Sequence, residues 1–508
     1  MTSFVLKAEK QQSSFVIDCY EGLILTKAFL LETERSMYNL VKAKGKEADL
    51  KEYATIASMR AKILDLERNY SENADSILLL TSKADALESR LVSRCRAYGD
   101  MTDFMEIGYR KIQKKLNVGD VLIDFVDIES ESQGRVYAAY IVDNQQEYPI
   151  LKLLFAEKKI DSLQIAYPDM FYEGFVAEEL YKIIWKPLEK YVEEGATVYY
   201  VPTQMMFQIA LESIPLEDGS LLGEHFHFVR LSSARELVRY KARLDIDISS
   251  TGIDAVLYGG LIYGLDPSDT VARVDTNYVA QAMMMQRGNM RRGDSLFGEL
   301  PGSGREVDSI GQILTLGQLR VEFRKGKTGT EESFMSMHGD APVLLHLATH
   351  GFFYTPDSAQ KIEYLKGYKD AMSLSGLVLA GGNAAWRGQE LPEGRLDGIL
   401  TAANIANLDL SNIQLVVVSA CRSGQGKATP EGLYGLQRAF KKAGVKTMMM
   451  SLWDVDDAVG TEFMMAFYKN LVDKDGHWDK YAAFEKARKS VRENHPEPFY
   501  WAGFVMLD

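Results

Sequence analysis

Three stretches of this chain are too apolar to lie anywhere but inside a covered sheet: VLLHLATHGFF at 343–353, IQLVVVSAC at 413–421 and VKTMMMSLWDV at 445–455. None alternates polar and apolar as a strand with one wet face does, so each is expected to be buried on both faces, like a parallel strand. Helix-period segments separate them: TAANIANL at 401–408, and GLYGLQRAFKKAG at 432–444, which closes on a glycine stop. The alternation extends upstream. VGDVLIDFVDIE, RVYAAYIVDN and YPILKLLFA read as a strand meander, and FYEGFVAEELYKIIWKPLEKYVEEG as one long helix. TVYYVPT and DAVLYGGLIYG read as strands, REVDSIGQILTLG as a helix, LRVEFRKG as a strand and EESFMSMH as a helix. SGLVLAGG is a further short strand, two helices run to about 494, and FYWAGFVML closes the chain as a last strand. This order predicts an α/β architecture, a mainly parallel sheet flanked by helices in three layers.

Residues 1–112 differ. They hold almost no proline or glycine, and apolar residues recur at helical spacing, which predicts three or four long helices. Their leucine-rich stripes read as packing, with a partner-binding groove as the other use. The expected organisation is a helical region at 1–112, a first α/β part at 113–265, a loop at 266–304 and a second α/β part at 305–508. The loop is rich in glycine, methionine and arginine. Its Arg287, Arg291 and Arg292 are sites for self-cleavage if the chain matures by processing; otherwise it is an ordinary surface loop.

A net charge of −13 argues against nucleic acid as a partner, because phosphate binding needs a basic face. Three cysteines, Cys19, Cys95 and Cys421, form neither a disulfide framework nor a zinc pattern, so a reducing compartment and no metal are expected. The start of the chain has no basic segment followed by an apolar run, and no apolar stretch is long enough to span a membrane. A cytoplasmic protein is expected.

Ligands of open α/β sheets bind at the carboxyl ends of parallel strands. His350 ends one of the apolar strands and Cys421 another, with Gly351, Gly424 and Gly426 close behind them. A thiolate is a strong nucleophile, and a nearby imidazole activates it or moves its proton. Glycine lets the backbone come close to a substrate, and the N–H groups of Gly351 and Cys421 suit an oxyanion. Each residue alone reads equally as core; the pair at matching strand ends points to chemistry. His346 has the same strand parity as His350 but lies deeper, which suits a structural or supporting role.

LLHLATHGFF, LDGILTAANIANLDLSNIQLVVVSACRSGQG, EGLYGLQRAFKKAGVKTMMMSLWDVDD and PFYWAGFVML together resemble the CHAT domain, a bacterial branch of the caspase-like cysteine peptidases related to separase. The resemblance covers roughly 115–508, and the N-terminal helices are similar to the segment that joins tetratricopeptide repeats to the peptidase. Such repeats would lie upstream of Met1 or be missing from this chain. The resemblance implies a Cys421–His350 dyad without cofactor, acting on protein or peptide substrates. The dyad residues stand 71 positions apart (421 − 350), beyond the roughly 50 of caspases, because two insertions lengthen the loops between them. SLWDVDD at 451–457 is similar to the separase motif whose acid faces a basic residue before the scissile bond. It makes Asp454 and Asp456 the specificity acids and Trp453 a pocket wall, unless Trp453 is core and an aspartate caps the next helix, for which Asp457 is the better placed. Asp397 and Glu431 match the family more weakly; Asp397 also reads as a turn or cap residue, and Glu431 lies in a loop that orders on activation. The first α/β part would be a pseudo-peptidase half, unless its strands join one continuous sheet. An activating protein would act through the N-terminal helices. The alternative is a catalytically silent adaptor, and an acyl transferase or esterase using the same dyad is a third reading.

Overall fold

The computed structural model describes residues 14–66, 70–95, 106–130, 132–163, 165, 168–241, 243–244, 252–264, 296–389, 391, 395–472 and 478–508. Arg287, Arg291 and Arg292 lie outside them.

Four helices open the chain: α1 (Ser14–Thr26), α2 (Phe29–Lys44), α3 (Glu47–Leu66) and α4 (Tyr70–Cys95). Helices α3 and α4 pack side by side, and Val41, Ile56 and Leu91 form a small core between them and α2. α1 lies on the α/β body, where Tyr20 stacks on Tyr140 with ring centroids 4.8 Å apart. At its end, the buried Lys27 ammonium binds the Asp124 carboxylate and the Phe125 carbonyl.

Strands β1 (Val121–Ser130), β2 (Gly134–Asp143), β3 (Ile150–Ala156), β4 (Thr197–Val201) and β5 (His227–Arg230) make the first sheet, in the order β3-β2-β1-β4-β5. The meander β1-β2-β3 is antiparallel, and β4 and β5 continue from β1 in parallel. The expected long helix at 171–195 is broken. An α-helix at Gly174–Leu180 passes into a π turn at Tyr181–Trp185 and ends before Pro187, which has no N–H to continue it.

The second sheet comprises β6 (Ala255–Leu261), β7 (Val321–Gly326), β8 (Leu344–Ala348), β12 (Leu415–Ser419), β15 (Thr447–Ser451) and β16 (Phe504–Leu507), in the order β16-β15-β12-β8-β6-β7. All pairs are parallel except β15–β16. The sheet boundary therefore falls before Ala255, not after 265: β6 pairs with β7 and β8, both later in the chain, and the stretch expected as loop to 304 is helical from Pro301. The two sheets meet edge to edge, where Ser232 N–H donates to the Asp508 carbonyl and Asp508 N–H to the Arg230 carbonyl, each 2.9 Å.

The step from β6 to β7 runs one way along the second sheet and the step from β12 to β15 the other way. Right-handed crossovers then place α5 (Pro301–Leu316) on one face and α6 (Leu436–Lys442) on the opposite one. Helices α7 (Asp457–Leu471) and α8 (Lys480–Asn494) pack with α5. The strand order reverses between β6 and β8, so the crevice beyond the carboxyl ends of these strands is the place for a ligand.

Two local departures from the sequence reading shape that crevice. VLLHLATHGFF is not one strand. β8 ends at Ala348, and β9 (His350–Phe353) turns into a separate antiparallel sheet with β10 (Ser375–Val378) and β11 (Ile399–Thr401). GLYGLQRAFKKAG is helical only from Leu436; its first residues form β14 (Gly432–Gly435), the return strand of a hairpin with β13 (Gly426–Thr429).

Below the crevice, His346 is wholly buried, with Nε2 2.8 Å from Glu306 Oε1 on α5 and Nδ1 3.3 Å from the Tyr468 hydroxyl on α7. It is the sheet's anchor to both helices. Glu306→Ala leaves a buried imidazole nitrogen unpaired and is expected to cost about 1–3 kcal/mol in urea unfolding.

Candidate active site

The β8–β12 register brings the two strand-end residues together. Leu344 pairs with Leu415, and the ladder continues to Ala348 opposite Ser419. His350 and Cys421 each lie two residues beyond that last pair. Gly351 is in direct contact with the turn at Cys421: a Cβ on it would sit 2.6 Å from the Cys421 carbonyl oxygen. Only glycine fits so close to another backbone.

The His350 ring is held from three sides. Its Nε2 donates to the Gly298 carbonyl at 2.8 Å, and the rings of Tyr263 and Phe297 lie 4.9 and 5.2 Å away, centroid to centroid. A carbonyl accepts only, so Nε2 carries the proton and Nδ1 keeps a free lone pair. Burial pushes the imidazole below its ordinary value, against the smaller effect of the carbonyl, and so favours the neutral base. The segment that supplies this carbonyl is itself clamped. The buried Asn383 side chain accepts from Phe297 N–H and donates to the Phe297 carbonyl, both at 2.9 Å. Asn383 lies in an insertion that the sequence offers only as a loop; its role depends on a contact 86 positions away, which no local pattern announces.

Cys421 is placed by a stitched turn. Ser423 Oγ donates to the Val418 carbonyl and accepts from Ser451 N–H, and Gly424 N–H donates to the Ser451 carbonyl at 2.7 Å. These bonds tie the end of β12 to the end of β15. The Asp454 carboxylate lies beside the thiol. Burial raises the thiol pKa far above its ordinary range, and the hydrogen-bonded Asp454 carboxylate raises it further. No hydrogen bond joins Cys421 to His350 in this state. Cys421 and His350 thus emerge from adjacent strand ends, the thiol beside an acid and the imidazole bonded to a carbonyl.

The two expected specificity acids part company. Asp454 lies beside Cys421, only 8% exposed, and binds Arg422 through Nε at 3.1 and 3.2 Å and through Nη2 at 3.0 Å. Asp456 instead caps α7, accepting from Ala458 and Val459 N–H at 3.0 and 3.1 Å. Asp457, the expected cap, reaches across to Gly302 N–H at 2.7 Å in the first turn of α5. Trp453 is core: it is 5% exposed, with its indole N–H donating to the Phe499 carbonyl.

The two weaker sequence matches are structural. Asp397 accepts from Ile399 N–H and from the Tyr364 hydroxyl, each at 2.8 Å, and is hydrogen-bonded to Glu331, which accepts from Gly398 N–H. Burial, then the Asp397 charge, pushes Glu331 up to about 9. Glu431 sits at the tip of the β13–β14 hairpin and meets the start of α2. Its carboxylate accepts from Leu30 N–H at 3.1 Å and its carbonyl from Ala28 N–H at 3.2 Å. The loop after Cys421 is thus bonded to the N-terminal helices, a link that spans 401 positions.

A family model described as CHAT domain matches residues 175–507. Tetratricopeptide repeat protein 28 of Mus musculus is 35% identical over 111 residues, which are 22% of this chain and 4% of that protein, so the chain spans a small part of this curated relative. Among solved structures, the Arg-specific cysteine proteinase gingipain R aligns at 12% identity and a TM-score of 0.38, over 69% of this chain and 74% of its own. The separase–securin complex of Saccharomyces cerevisiae aligns at 9% identity and a TM-score of 0.39, over 82% and 31%. Among the described residues, no helix is long and apolar enough to cross a membrane.

Asn383→Ala removes both bonds to Phe297. It is expected to cost about 1–3 kcal/mol and to speed solvent exchange of the His350 Nε2 proton in histidine-labelled NMR spectra. Glu331→Gln tests the carboxyl pair. The folded state keeps the Glu331 proton up to about pH 9, whereas an ordinary glutamate releases it near 4.5. The protonated form's contribution to stability is therefore complete below that lower value and is lost as pH rises toward 9. The Gln variant should melt a few degrees above wild type under alkaline conditions, and the gap should close in acid.

Proposed function

The chain belongs to the CHAT-domain family, and from that premise we propose that it is a cysteine endopeptidase that cleaves protein substrates after arginine or lysine. The observation that carries the reading is the β8–β12 register, which sets His350 and Cys421 side by side with Gly351 against the Cys421 backbone. Cys421 sulfur attacks the scissile carbonyl carbon and the carbon–sulfur bond forms. His350 takes the thiol proton at Nδ1 and delivers it to the leaving amine as the peptide bond breaks. Water then hydrolyses the thioester and restores the thiol. The N–H of Cys421, which makes no hydrogen bond among the described residues, and that of Gly351 serve the oxyanion. Asp454 receives the basic side chain of the substrate, since a buried carboxylate beside the nucleophile suits a guanidinium or an ammonium.

The described state is latent in this reading, because burial and the adjacent Asp454 charge favour the protonated thiol, and no hydrogen bond joins it to His350. A protein partner that moves the N-terminal helices has a direct route to the nucleophile. α2 is bonded to Glu431, and the hairpin that carries Glu431 begins at Gly426, just beyond the Cys421 turn. The first sheet acts as a non-catalytic support in this scheme. The missing Cys421–His350 hydrogen bond favours a second reading, a catalytically silent adaptor in which the peptidase-like part is scaffold.

Fluorogenic peptides varied at the residue before the scissile bond separate the two. Cleavage after arginine or lysine that disappears in Cys421→Ala and in His350→Ala supports the endopeptidase. If wild type, with Glu431→Ala included to loosen the hairpin, cleaves none of them, the adaptor reading stands.

A further inference from the structure

Arg422 directly follows the nucleophile, and the catalytic scheme gives it no task. Its backbone lies in the left-handed region, at φ +56, where a residue with a Cβ is unfavourable. The turn around it does not depend on its side chain. Ser423 and Gly424 are bonded to β12 and β15, and Gln425 is held by its own side chain to the Leu452 carbonyl and by its N–H to the Arg422 carbonyl. Among the described residues, the hydrogen bonds and ion pair of the Arg422 side chain all go to Asp454, a planar grip from Nε and Nη2. The guanidinium is one-third exposed and the carboxylate beneath it only 10%. Arg422 is therefore a lid over the acid that the catalytic scheme reserves for the substrate. Asp454 also lies beside the Cys421 thiol.

We propose that Arg422 is an internal stand-in for the substrate's basic residue, filling the specificity site until an arginine or lysine side chain of a bound peptide displaces it. The inference rests on the endopeptidase reading and adds its regulation. An incoming guanidinium takes over the Asp454 carboxylate, Arg422 swings into solvent, and the thiol, deprived of its acceptor, is free to turn to Nδ1 of His350. Binding of a basic side chain and arming of the nucleophile thus become one event. A neutral side chain in the same place gains nothing from Asp454, cannot displace Arg422 and leaves the thiol where it is. A purely structural ion pair would behave in the opposite way, since its loss would loosen the Cys421 turn and slow every reaction there.

The test compares the full chain with its Arg422→Gln and Arg422→Lys forms. Each is labelled at Cys421 by two peptidyl acyloxymethyl ketones that differ only in ending on arginine or leucine, and melting is recorded alongside. The expected result is that Arg422→Gln labels about tenfold faster or more with the arginine probe, because the competent site is no longer occupied. Labelling by the leucine probe should stay within a factor of about two, and Arg422→Lys, which keeps the charge but not the planar grip, should fall between. Lys is the milder change and serves alone if the Gln form melts early. An arginine-probe rate that is unchanged or lower in folded variants that still prefer arginine to leucine overturns the stand-in and leaves the endopeptidase reading intact. Equal labelling by both probes in every form overturns the basic specificity and the stand-in with it. Absence of labelling throughout overturns the endopeptidase as well.

Discussion

The parallel pairing of β8 with β12 is the constraint on which the rest of the structure depends. Two apolar strands bury both faces, so neither can slip without driving leucine and valine out of register with the helices above and below. His346 pins that register from within, through Glu306 on α5 and Tyr468 on α7. With the ladder fixed, the residues just past its end have no freedom in where they emerge. His350 and Cys421 meet for that reason, and the glycine at 351 lets the two backbones touch.

The acids of the 454–457 segment show how local geometry divides similar side chains among different tasks. Asp456 and Asp457 each satisfy the open N–H groups at the start of a helix, but of different helices, α7 and α5. Asp454, two positions earlier, turns to the Cys421 side, where it finds Arg422 and the thiol. One carboxylate thus pairs with Arg422 and lies beside the Cys421 thiol. The Glu431 contact adds a mechanical link from this site to α2, so the first helices of the chain are bonded to the loop that follows the nucleophile.

Much of this was legible in the residues. Buried parallel strands announce themselves as unbroken apolar runs, and the rule that ligands sit at strand carboxyl ends points to His350 and Cys421 without further information. What sequence reasoning missed has particular causes. Pro187 carried a readable signal against a continuous helix at 171–195. The β13–β14 hairpin was hidden because GLYGLQRAF spaces its apolar residues as a helix would, although the first half pairs as a strand. β6 belongs to the second sheet because its neighbours β7 and β8 come later in the chain. Adjacent aspartates cannot be told apart as caps without the turn angle between β15 and α7. Gly298, Asn383 and Arg422 act through contacts that no sequence period records.

In the proposed scheme Cys421 rests as a protonated thiol beside Asp454 and becomes a nucleophile only on turning to His350. The pH dependence of its alkylation by iodoacetamide, read at Cys421 by mass spectrometry, tests this most directly. The rate is expected to keep rising with pH past the ordinary thiol range, with no plateau near neutrality, in keeping with burial and the Asp454 charge. A rate that levels off at or below neutral pH would contradict it, because it would mean that the free chain already holds a thiolate–imidazolium pair.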